Sequence, residues 1–285
     1  MFNVNRVRWA LRKINLPINS SALVLDVGSG GNPNPRSDIL LDRLTGSQHR
    51  NGEQMMIDRL CVFGDAEHLP FKNNVFDFVI ASHILEHMSK PDVFISELQR
   101  VGKAGYIETP NVLFERFAPF DIHCLELLES KGVLHIHKKK ECIEDSFLGS
   151  KDLLSVQSKL GKLLFERPEM FHVQYIWKGE IKYMIDNPEV SCAWIEELND
   201  KKDEGQVKDG YISDVIKGSG WRDYGMFLIN AIHSYKRKKR LKNFDLVSIL
   251  SCPKCTGDLT LNNQILLCIQ CDSSYPFKNG VPNFT

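Results

Sequence analysis

The sequence lacks both a long apolar run and an excess of charge of either sign. Its 285 residues include 36 Lys and Arg against 36 Asp and Glu, so the formal net charge is zero. A bilayer-spanning helix needs about 18–20 consecutive apolar residues, and the sequence contains no such stretch. Neutrality also disfavours a protein that coats nucleic acid, although it leaves a local basic patch open.

The N-terminal segment lacks the features of a secretory signal. Residues 1–16 carry Arg and Lys within their apolar stretch and have no small-residue cleavage site, which is typical of a short amphipathic helix. We therefore expect a cytoplasmic protein. The length allows one full α/β domain and one small additional unit.

The eight cysteines are unevenly distributed, because four of them lie within twenty residues. Cys252, Cys255, Cys268 and Cys271 form two C-x-x-C pairs separated by twelve residues. Such pairs are typical of knuckles that present four thiolates to one tetrahedral zinc ion. In a reducing compartment this clustering favours a metal over disulfides. Four protein ligands leave no open position, so we expect a structural Zn²⁺ whose binding supplies folding energy.

Residues 20–110 alternate apolar runs with a helical pattern. The runs Ala22–Val27, Phe76–Ala81 and Gly105–Thr109 are typical of strands that are buried on both faces of a parallel sheet. Pro91–Val101 has an early proline and apolar residues at helical spacing, which predicts an amphipathic helix. This order predicts a doubly wound α/β domain.

The remaining segments are less regular. Leu125–His137 predicts a hairpin that turns at Lys131, Glu180–Ile185 predicts a strand, and 222–240 predicts a helix that ends in a basic run. Residues 199–210 are polar and predict a loop or linker. The predicted organisation is a main domain at 1–200, a linker and basic helix at 201–248, and a zinc ribbon at 249–285.

Glycines follow the first apolar run directly. Gly28 and Gly30 would let a ligand approach the backbone where a side chain would collide. A dinucleotide-binding fingerprint requires a small residue three positions after Gly30, where this sequence has Pro33, so NAD and FAD are disfavoured. A tight turn without any ligand remains the alternative.

Acidic residues follow the next two apolar runs. Asp42 ends the run that begins at Ile39, and Asp65 follows Cys61–Phe63. A parallel crossover usually takes a dozen residues or more, but only seven, 32–38, separate Gly31 from Ile39. Either this crossover is a bare loop or Asp42 does not end the second strand.

Four segments, VLDVGSG, GDAEHLPF, FDFVIASHILEHM and GYIETP, together resemble the class I S-adenosylmethionine-dependent methyltransferases. The resemblance covers residues 20–112 and is to the type 11-like branch that includes quinone-biosynthesis C-methyltransferases. It implies a Rossmann-like sheet with helices on both faces and S-adenosyl-L-methionine as cofactor. By position, it implies Asp26, Gly28 and Gly30 at the methionine end, Asp42 at the ribose, Asp65 and Ala66 at the adenine, and Ser82 and His83 beneath the sulfonium.

The C-terminal segment Tyr275–Pro282 resembles the zinc ribbon of the small activator subunit of tRNA and protein methyltransferases. In that family the ribbon stabilises a methyltransferase domain in another chain. A fused ribbon would either pack on the catalytic domain or bind a partner.

The methyl acceptor is less well defined by the sequence. Methyl transfer is an in-line displacement that depends mainly on alignment, and a base is needed only when the acceptor must lose a proton. Candidate bases are His83, Asp121 and His123, and the aromatic segment 114–120 would form either an acceptor lid or core. The segments GGNPNPRSDILLD and RVGKAGYIETPN resemble methyltransferases of surface-glycan pathways.

Six cations lie within seven residues at Lys236–Lys242. Such a run is a solvated helix end, a contact for an anionic membrane surface or an RNA contact. Three functions are compatible with the sequence. The first is a methyltransferase that acts on a small molecule, a glycan or a lipid-linked glycan, and in the last case the enzyme would be peripheral to the membrane. The second is an RNA methyltransferase, and the third is a non-catalytic scaffold that acts through its zinc ribbon. Zero net charge disfavours the second, and intact Gly28, Gly30 and Asp65 disfavour the third.

Overall fold

The computed structural model describes residues 4–43, 55–142, 158–196 and 220–285. Within these ranges the chain forms a six-stranded sheet, a four-stranded sheet and a three-stranded sheet. The loop or linker predicted at 199–210 lies outside the described residues. Among the helices that are described, none combines the length and the apolar character needed to cross a bilayer.

The central sheet has the strand order β3-β2-β1-β4-β5-β8, in which the first five strands are parallel and β8 is antiparallel. The strands are β1 Val24–Val27, β2 Ile39–Asp42, β3 Leu60–Phe63, β4 Phe78–Ser82, β5 Ala104–Pro110, β6 Leu125–Ser130, β7 Val133–Lys138, β8 His172–Lys178, β9 Tyr183–Ile185, β10 Leu259–Asn262, β11 Ile265–Cys268, β12 Ser274–Lys278 and β13 Val281–Pro282. Because β1 lies between β2 and β4, the strand order reverses there, and a crevice forms outside the carboxyl ends of these strands.

The helices are α1 Val4–Leu11, α2 Pro91–Val101, α3 Val112–Phe117, α4 Lys159–Glu166 and α5 Gly220–Arg240, with short 3₁₀ turns at Leu85–His87, Pro168–Phe171 and Val247–Ile249. Helix α2 has its proline in the first turn and buries one apolar face, which includes Phe94 and Leu98. The helix is followed directly by Gly102, where a Cβ would lie 2.4 Å from Val79 Cγ2. Glycine is needed there because the helix end lies directly against β4.

The two faces of the central sheet pack against different hydrophobic clusters. Leu25, Val79 and Ile107 face the main core, to which α2 contributes, while Val24 and Ile80 face a smaller cluster. That smaller cluster is completed by the segment after α1, through Leu16 and Ile18. The N-terminal segment thus covers the face on which Asp26 of β1 also lies.

The structure confirms the α/β fold and resolves the question about the crossover. The strand β2 ends at Asp42, and residues 28–38 connect β1 to β2 without a helix. The hairpin prediction is confirmed as β6 and β7, and the strand predicted at Glu180–Ile185 is the shorter β9. The sequence analysis does not predict β8, although Val173, Tyr175 and Trp177 alternate with exposed residues as a half-buried strand requires.

The cysteine module packs on the free edge of β3. Phe284 N donates to Phe63 O at 2.8 Å, and Asn283 forms a parallel bridge with Phe63. Ser251 N donates to Pro70 O at 3.1 Å. Of the two arrangements that the sequence allows, contact with the main domain is the one observed. The module thereby covers a sheet edge that would otherwise present unpaired backbone groups.

The basic end of α5 docks at the amino ends of β1 and β2. Arg237 is buried and donates to Ser37 O at 3.1 Å. Arg240 pairs with Asp38, whose side chain is fully buried and also accepts from Val24 N at 3.0 Å. Two of the six predicted surface cations therefore anchor the helix to the sheet.

We expect Arg240→Gln to lower the free energy of unfolding by about 2 kcal/mol, because removal of one partner leaves a buried carboxylate less compensated. Arg36, which also pairs with Asp38 at 3.1 Å, limits the loss. Chemical denaturation measures the change. Lys239→Gln, an exposed neighbour, is the control and should stay within about 0.5 kcal/mol of the unsubstituted protein. Equal stabilities of the two variants would contradict the docking role.

Candidate functional site

A small cleft lies at the carboxyl ends of β1 and β4. Asp26, Gly28 and Ser82 line it from the sheet, and Lys13 lines it from the N-terminal segment. This is the crevice that the reversal of strand order creates. Ligands of open α/β sheets bind at this position.

The turn after β1 requires glycine at two positions. Gly28 and Gly30 have φ angles of +68° and +54°, in the left-handed region that side chains disfavour. A Cβ at Gly28 would also lie 2.7 Å from Ile84 Cδ1. A larger residue at position 28 would therefore collide with Ile84, so its effect on a ligand could not be separated from its effect on packing.

Asp26 fixes the loop that follows this turn. Its Oδ2 accepts from Asn34 N at 2.7 Å, and Asn34 Nδ2 donates to Lys13 O at 2.8 Å. Burial raises the pKa of Asp26 to about 6, although the Asn34 N–H opposes the rise. Burial also lowers the pKa of Lys13. The cleft thus has one partly desolvated acid and one partly desolvated base in its wall.

The acids predicted to face a ribose and an adenine stand at neighbouring strand ends. Asp42 ends β2, and its Oδ2 accepts from Gly30 N at 2.9 Å. Asp65 and the buried Ala66 follow β3, and Asp65 Oδ1 accepts from Glu67 N at 2.9 Å. The structure therefore brings Asp42 into direct contact with the glycine turn.

His83 follows Ser82 at the end of β4 in a left-handed conformation, with φ of +57°. Its ring lies between two carboxylates, at 3.4 Å from Glu86 Oε1 and 3.4 Å from Glu108 Oε1. Burial alone would lower the pKa of His83, but the neighbouring carboxylates of Glu108 and Glu86 outweigh it and raise the pKa to about 9. At neutral pH the ring is an imidazolium, which donates hydrogen bonds and does not accept a proton.

Glu108 joins the N-terminal segment to the sheet beside the cleft. Arg12 donates to both of its carboxylate oxygens, at 2.6 and 2.8 Å, and Tyr106 OH donates at 2.6 Å. Although burial opposes it, hydrogen bonds from His83 and Arg12 hold the pKa of Glu108 well below its usual range. The carboxylate is therefore a fixed negative charge beneath His83.

His123 is buried on the loop before β6. Its Nδ1 lies 2.5 Å from Glu115 Oε1, and Lys139 Nζ donates to the other oxygen of Glu115 at 2.8 Å. The ring of His87 stands at 82° to that of His123, with centroids 4.7 Å apart. Asp121, the third candidate base, lies on the same loop, where its carbonyl accepts from Cys142 Sγ at 3.6 Å.

Aromatic rings form a wall beside these histidines. Phe114 and Phe120 stack with centroids 6.0 Å apart, and Phe120 lies 4.7 Å from the His123 ring. On the other side, His172 lies 5.6 Å from the His83 ring and 4.7 Å from Trp9. The segment 114–120 thus contributes half-buried rings next to His123.

The four C-terminal cysteines converge as the spacing predicts. Their Sγ atoms all lie within 4.8 Å of one another, and none of the four forms a disulfide. The Sγ atoms of Cys252 and Cys271 are 3.6 Å apart, and those of Cys255 and Cys268 are 3.4 Å apart. Tetrahedral zinc with bonds of about 2.3 Å requires sulfur separations of about 3.8 Å, so the set fits the ion.

Four polar residues at the site are not predicted by the sequence analysis, namely Glu86, Glu108, Glu115 and Lys13. Glu108 had a detectable signal, since a charged residue inside an apolar strand run is rarely buried without a partner. The others depend on contacts between segments distant in the chain. Lys139 and Glu115, for example, are 24 residues apart.

Comparisons with known proteins agree with the resemblance in the first half of the chain. Residues 38–107 match a family described as a methyltransferase domain. Over 109 residues the chain is 33% identical to the ubiquinone/menaquinone biosynthesis C-methyltransferase UbiE of Cupriavidus pinatubonensis. That similarity covers 34% of this chain and 44% of the relative, so the chain spans less than half of the curated relative's length.

Solved structures with a similar fold include the YcgJ protein of Bacillus subtilis, with 19% identity, a TM-score of 0.31, and coverage of 39% of this chain and 56% of that chain. Another is a chain from the complex of the Haloferax volcanii Trm112 methyltransferase activator, with 15% identity and a TM-score of 0.40. That similarity covers 62% of this chain and 92% of the other.

We expect purified protein to hold a zinc ion at the cysteine cluster. Cys255→Ser should lower the zinc content by one ion per chain and lower the melting temperature, because the ribbon packs on the β3 edge. Elemental analysis and thermal denaturation measure these quantities. Cys142→Ser, which changes a cysteine outside the cluster, should leave both unchanged. Protein without zinc, whose four cysteines are paired as disulfides, would refute the assignment.

Proposed function

We propose that this chain is an S-adenosylmethionine-dependent methyltransferase that acts on a small-molecule, glycan or lipid-linked glycan acceptor. The observation that carries the proposal is the contact between Asp42 at the end of β2 and the left-handed glycine turn after β1. Together they place an acid beside a turn without side chains at positions 28 and 30, at the switch point of the sheet. The match of 38–107 to a methyltransferase domain supports the same activity.

In this proposal the carboxyl end of each strand binds a different part of the cofactor. The turn at Gly28–Gly30, with Asp26 beneath it, holds the methionine end. Asp42 accepts from the ribose hydroxyls, and Asp65 with the Ala66 N–H binds the adenine. When bound, S-adenosylmethionine supplies a methyl group on a sulfonium sulfur, which leaves as a neutral thioether.

The acceptor is proposed to enter between Ser82–His83 and the aromatic wall at 114–120. Both ring nitrogens of the His83 imidazolium face carboxylates, those of Glu86 and Glu108, so the ring would orient an acceptor oxygen through its positive charge. Alignment of this kind supplies much of the rate acceleration in a displacement on carbon. We further propose that zinc at the cysteine cluster is structural, since the four thiolates fill a tetrahedral shell.

The two alternative functions, an RNA methyltransferase and a non-catalytic scaffold, can be distinguished by which molecules become methylated. An RNA methyltransferase would transfer label from S-adenosylmethionine to RNA. A non-catalytic scaffold would transfer it to nothing. Incubation with radiolabelled S-adenosylmethionine and fractionated extract therefore assigns the acceptor class, and label in a small-molecule or lipid fraction supports the proposal.

We expect Asp42→Ala to weaken S-adenosylmethionine binding at least tenfold, about 1.4 kcal/mol, because hydrogen bonds to a carboxylate contribute roughly 1.5–3 kcal/mol each. Calorimetric titration measures the dissociation constant. The matched control is Asp77→Ala, an exposed acid at the opposite end of the sheet that accepts from Leu23 N. Its constant should stay within twofold of that of the unsubstituted protein.

Two results would count against these assignments in different ways. Unchanged affinity in Asp42→Ala would contradict the assignment of Asp42 to the ribose but not the identity of the cofactor. Absence of binding by the unsubstituted protein would contradict the proposed function as a whole.

We also propose that the exposed face of α5 contacts an anionic lipid surface. Leu228, Ile232 and Tyr235 lie on one face at helical spacing and are 45%, 54% and 73% exposed. Lys238 and Lys239 are among the exposed cations beside them, and each cation near an anionic bilayer contributes on the order of 1 kcal/mol.

Co-sedimentation with vesicles tests this contact. Binding to phosphatidylserine vesicles should exceed binding to phosphatidylcholine vesicles, weaken with salt, and fall roughly tenfold or more in the double variant Lys238→Gln, Lys239→Gln. The double variant Lys140→Gln, Lys178→Gln changes exposed cations elsewhere and should bind like the original protein. An electrophoretic shift with RNA in the absence of vesicle binding would contradict the proposal.

A further inference from the structure

Three ligand-type side chains meet behind the turn at His83. A carboxylate oxygen of Glu86 and one ring nitrogen each of His87 and His123 lie within 4.8 Å of one another. Glu86 and His87 are neighbours on the 3₁₀ turn after β4, and His123 arrives from the loop before β6. All three side chains are largely removed from solvent, with Glu86 at 1% exposure and His123 at 7%.

The two histidines are oriented by partners that fix which nitrogen carries the proton. His87 Nδ1 lies 2.8 Å from Ile122 O, and since a carbonyl only accepts, Nδ1 is the donor. His123 Nδ1 lies 2.5 Å from a carboxylate oxygen of Glu115 and donates in the same way. In each neutral ring the lone pair is therefore on Nε2. That is the form in which imidazole binds a metal ion.

Glu86 is held on one side only. Its Oε2 accepts from Thr109 Oγ1 at 2.8 Å, while its Oε1 is buried without a hydrogen-bond partner among the residues that the structure describes. The His83 imidazolium forms an ion pair with Oε1, but its Nδ1 is 3.4 Å away, which is longer than a normal hydrogen bond. A buried carboxylate oxygen without a hydrogen bond costs free energy, and a cation bound directly to it would offset that cost.

The surroundings repeat the outer shell of known metal sites. Metal-binding histidines usually donate their second N–H to a carboxylate or a backbone carbonyl, and ligating carboxylates are themselves hydrogen-bonded. His123 has Glu115 in that role, and His87 has Ile122 O. Glu115 is in turn fixed by Lys139 Nζ at 2.8 Å. These contacts orient all three side chains before any ion binds.

We propose that Glu86, His87 and His123 bind one divalent first-row transition-metal ion, with zinc as the reference case. Two imidazoles and one carboxylate are the ligand set of catalytic zinc sites and of non-haem iron sites. Three protein ligands leave at least one position for an oxygen of water or of a bound molecule. This site is separate from the cysteine cluster, which has no such position.

Glu86 also contacts His83 Nδ1 at 3.4 Å, so an ion held here would lie close to the residue proposed to face the methyl acceptor. The relation of the ion to the acceptor rests on the proposed function, whereas binding of the metal does not.

Metal content is the direct test. Protein that is stripped with chelator, reloaded with Zn²⁺ and freed of excess ion should contain two ions per chain by elemental analysis. Glu86→Gln and His123→Ala should each contain one, and His137→Ala, which changes an exposed histidine on β7, should contain two. Cys255→Ser should lose only the ion of the cysteine cluster. Glu86→Gln nearly preserves the side-chain shape, so loss of the metal ion in this variant would result from the loss of the negative charge.

A second measurement addresses the outer shell. Glu115→Gln should retain the site but weaken Zn²⁺ binding by roughly 10–100-fold, as is typical for a partner that orients a ligating histidine. One ion per chain in the unsubstituted protein, or a second ion that persists in both Glu86→Gln and His123→Ala, would overturn the proposal. Two ions in a protein that binds no S-adenosylmethionine would support the metal site and contradict the proposed function.

Discussion

The parallel pairing of β1 with β2 on one side and with β4 on the other is the constraint on which the rest of the site depends. Parallel strands end at the same edge of a sheet, so this pairing brings Gly28 and Ser82 to one crevice and Asp42 to the glycine turn beside it. Glycine at positions 28 and 30 then allows the chain to turn sharply enough to leave that crevice open. Asp42 in turn holds the backbone of Gly30 in place.

Both edges of the parallel sheet are closed by segments from far along the chain. The antiparallel strand β8 pairs with β5 along its whole length, and the cysteine module covers β3. The edge at β3 is also where the segment proposed to bind adenine begins, at Asp65 and Ala66. A zinc ion in the module would thereby stabilise the cofactor side of the sheet through packing, without contact with the cofactor.

Several buried charges lie on the side of the cleft where the acceptor is proposed to enter, and they are compensated unevenly. Glu108 has Arg12, Tyr106 and His83 around it, whereas one oxygen of Glu86 has no hydrogen bond within the described ranges. Desolvated charges interact more strongly than solvated ones, so this network fixes the orientation of His83. Because Glu86 is equally buried, a cation that bound its unsatisfied oxygen would interact with it strongly.

The sequence by itself determined what local spacing and strand periodicity encode. The helix Pro91–Val101, the glycine turn and the two C-x-x-C knuckles could all be predicted, because each depends on residues close in the chain. Whether Asp42 ends the second strand stayed open in the sequence, because a crossover of seven residues is unusually short. Only the tertiary structure decided that the ribbon packs on β3, that Arg237 and Arg240 anchor α5, and that Glu86 meets His87 and His123. These contacts join segments as far apart in the chain as Phe63 and Phe284, and no local pattern in the sequence shows which distant side chain compensates a buried charge.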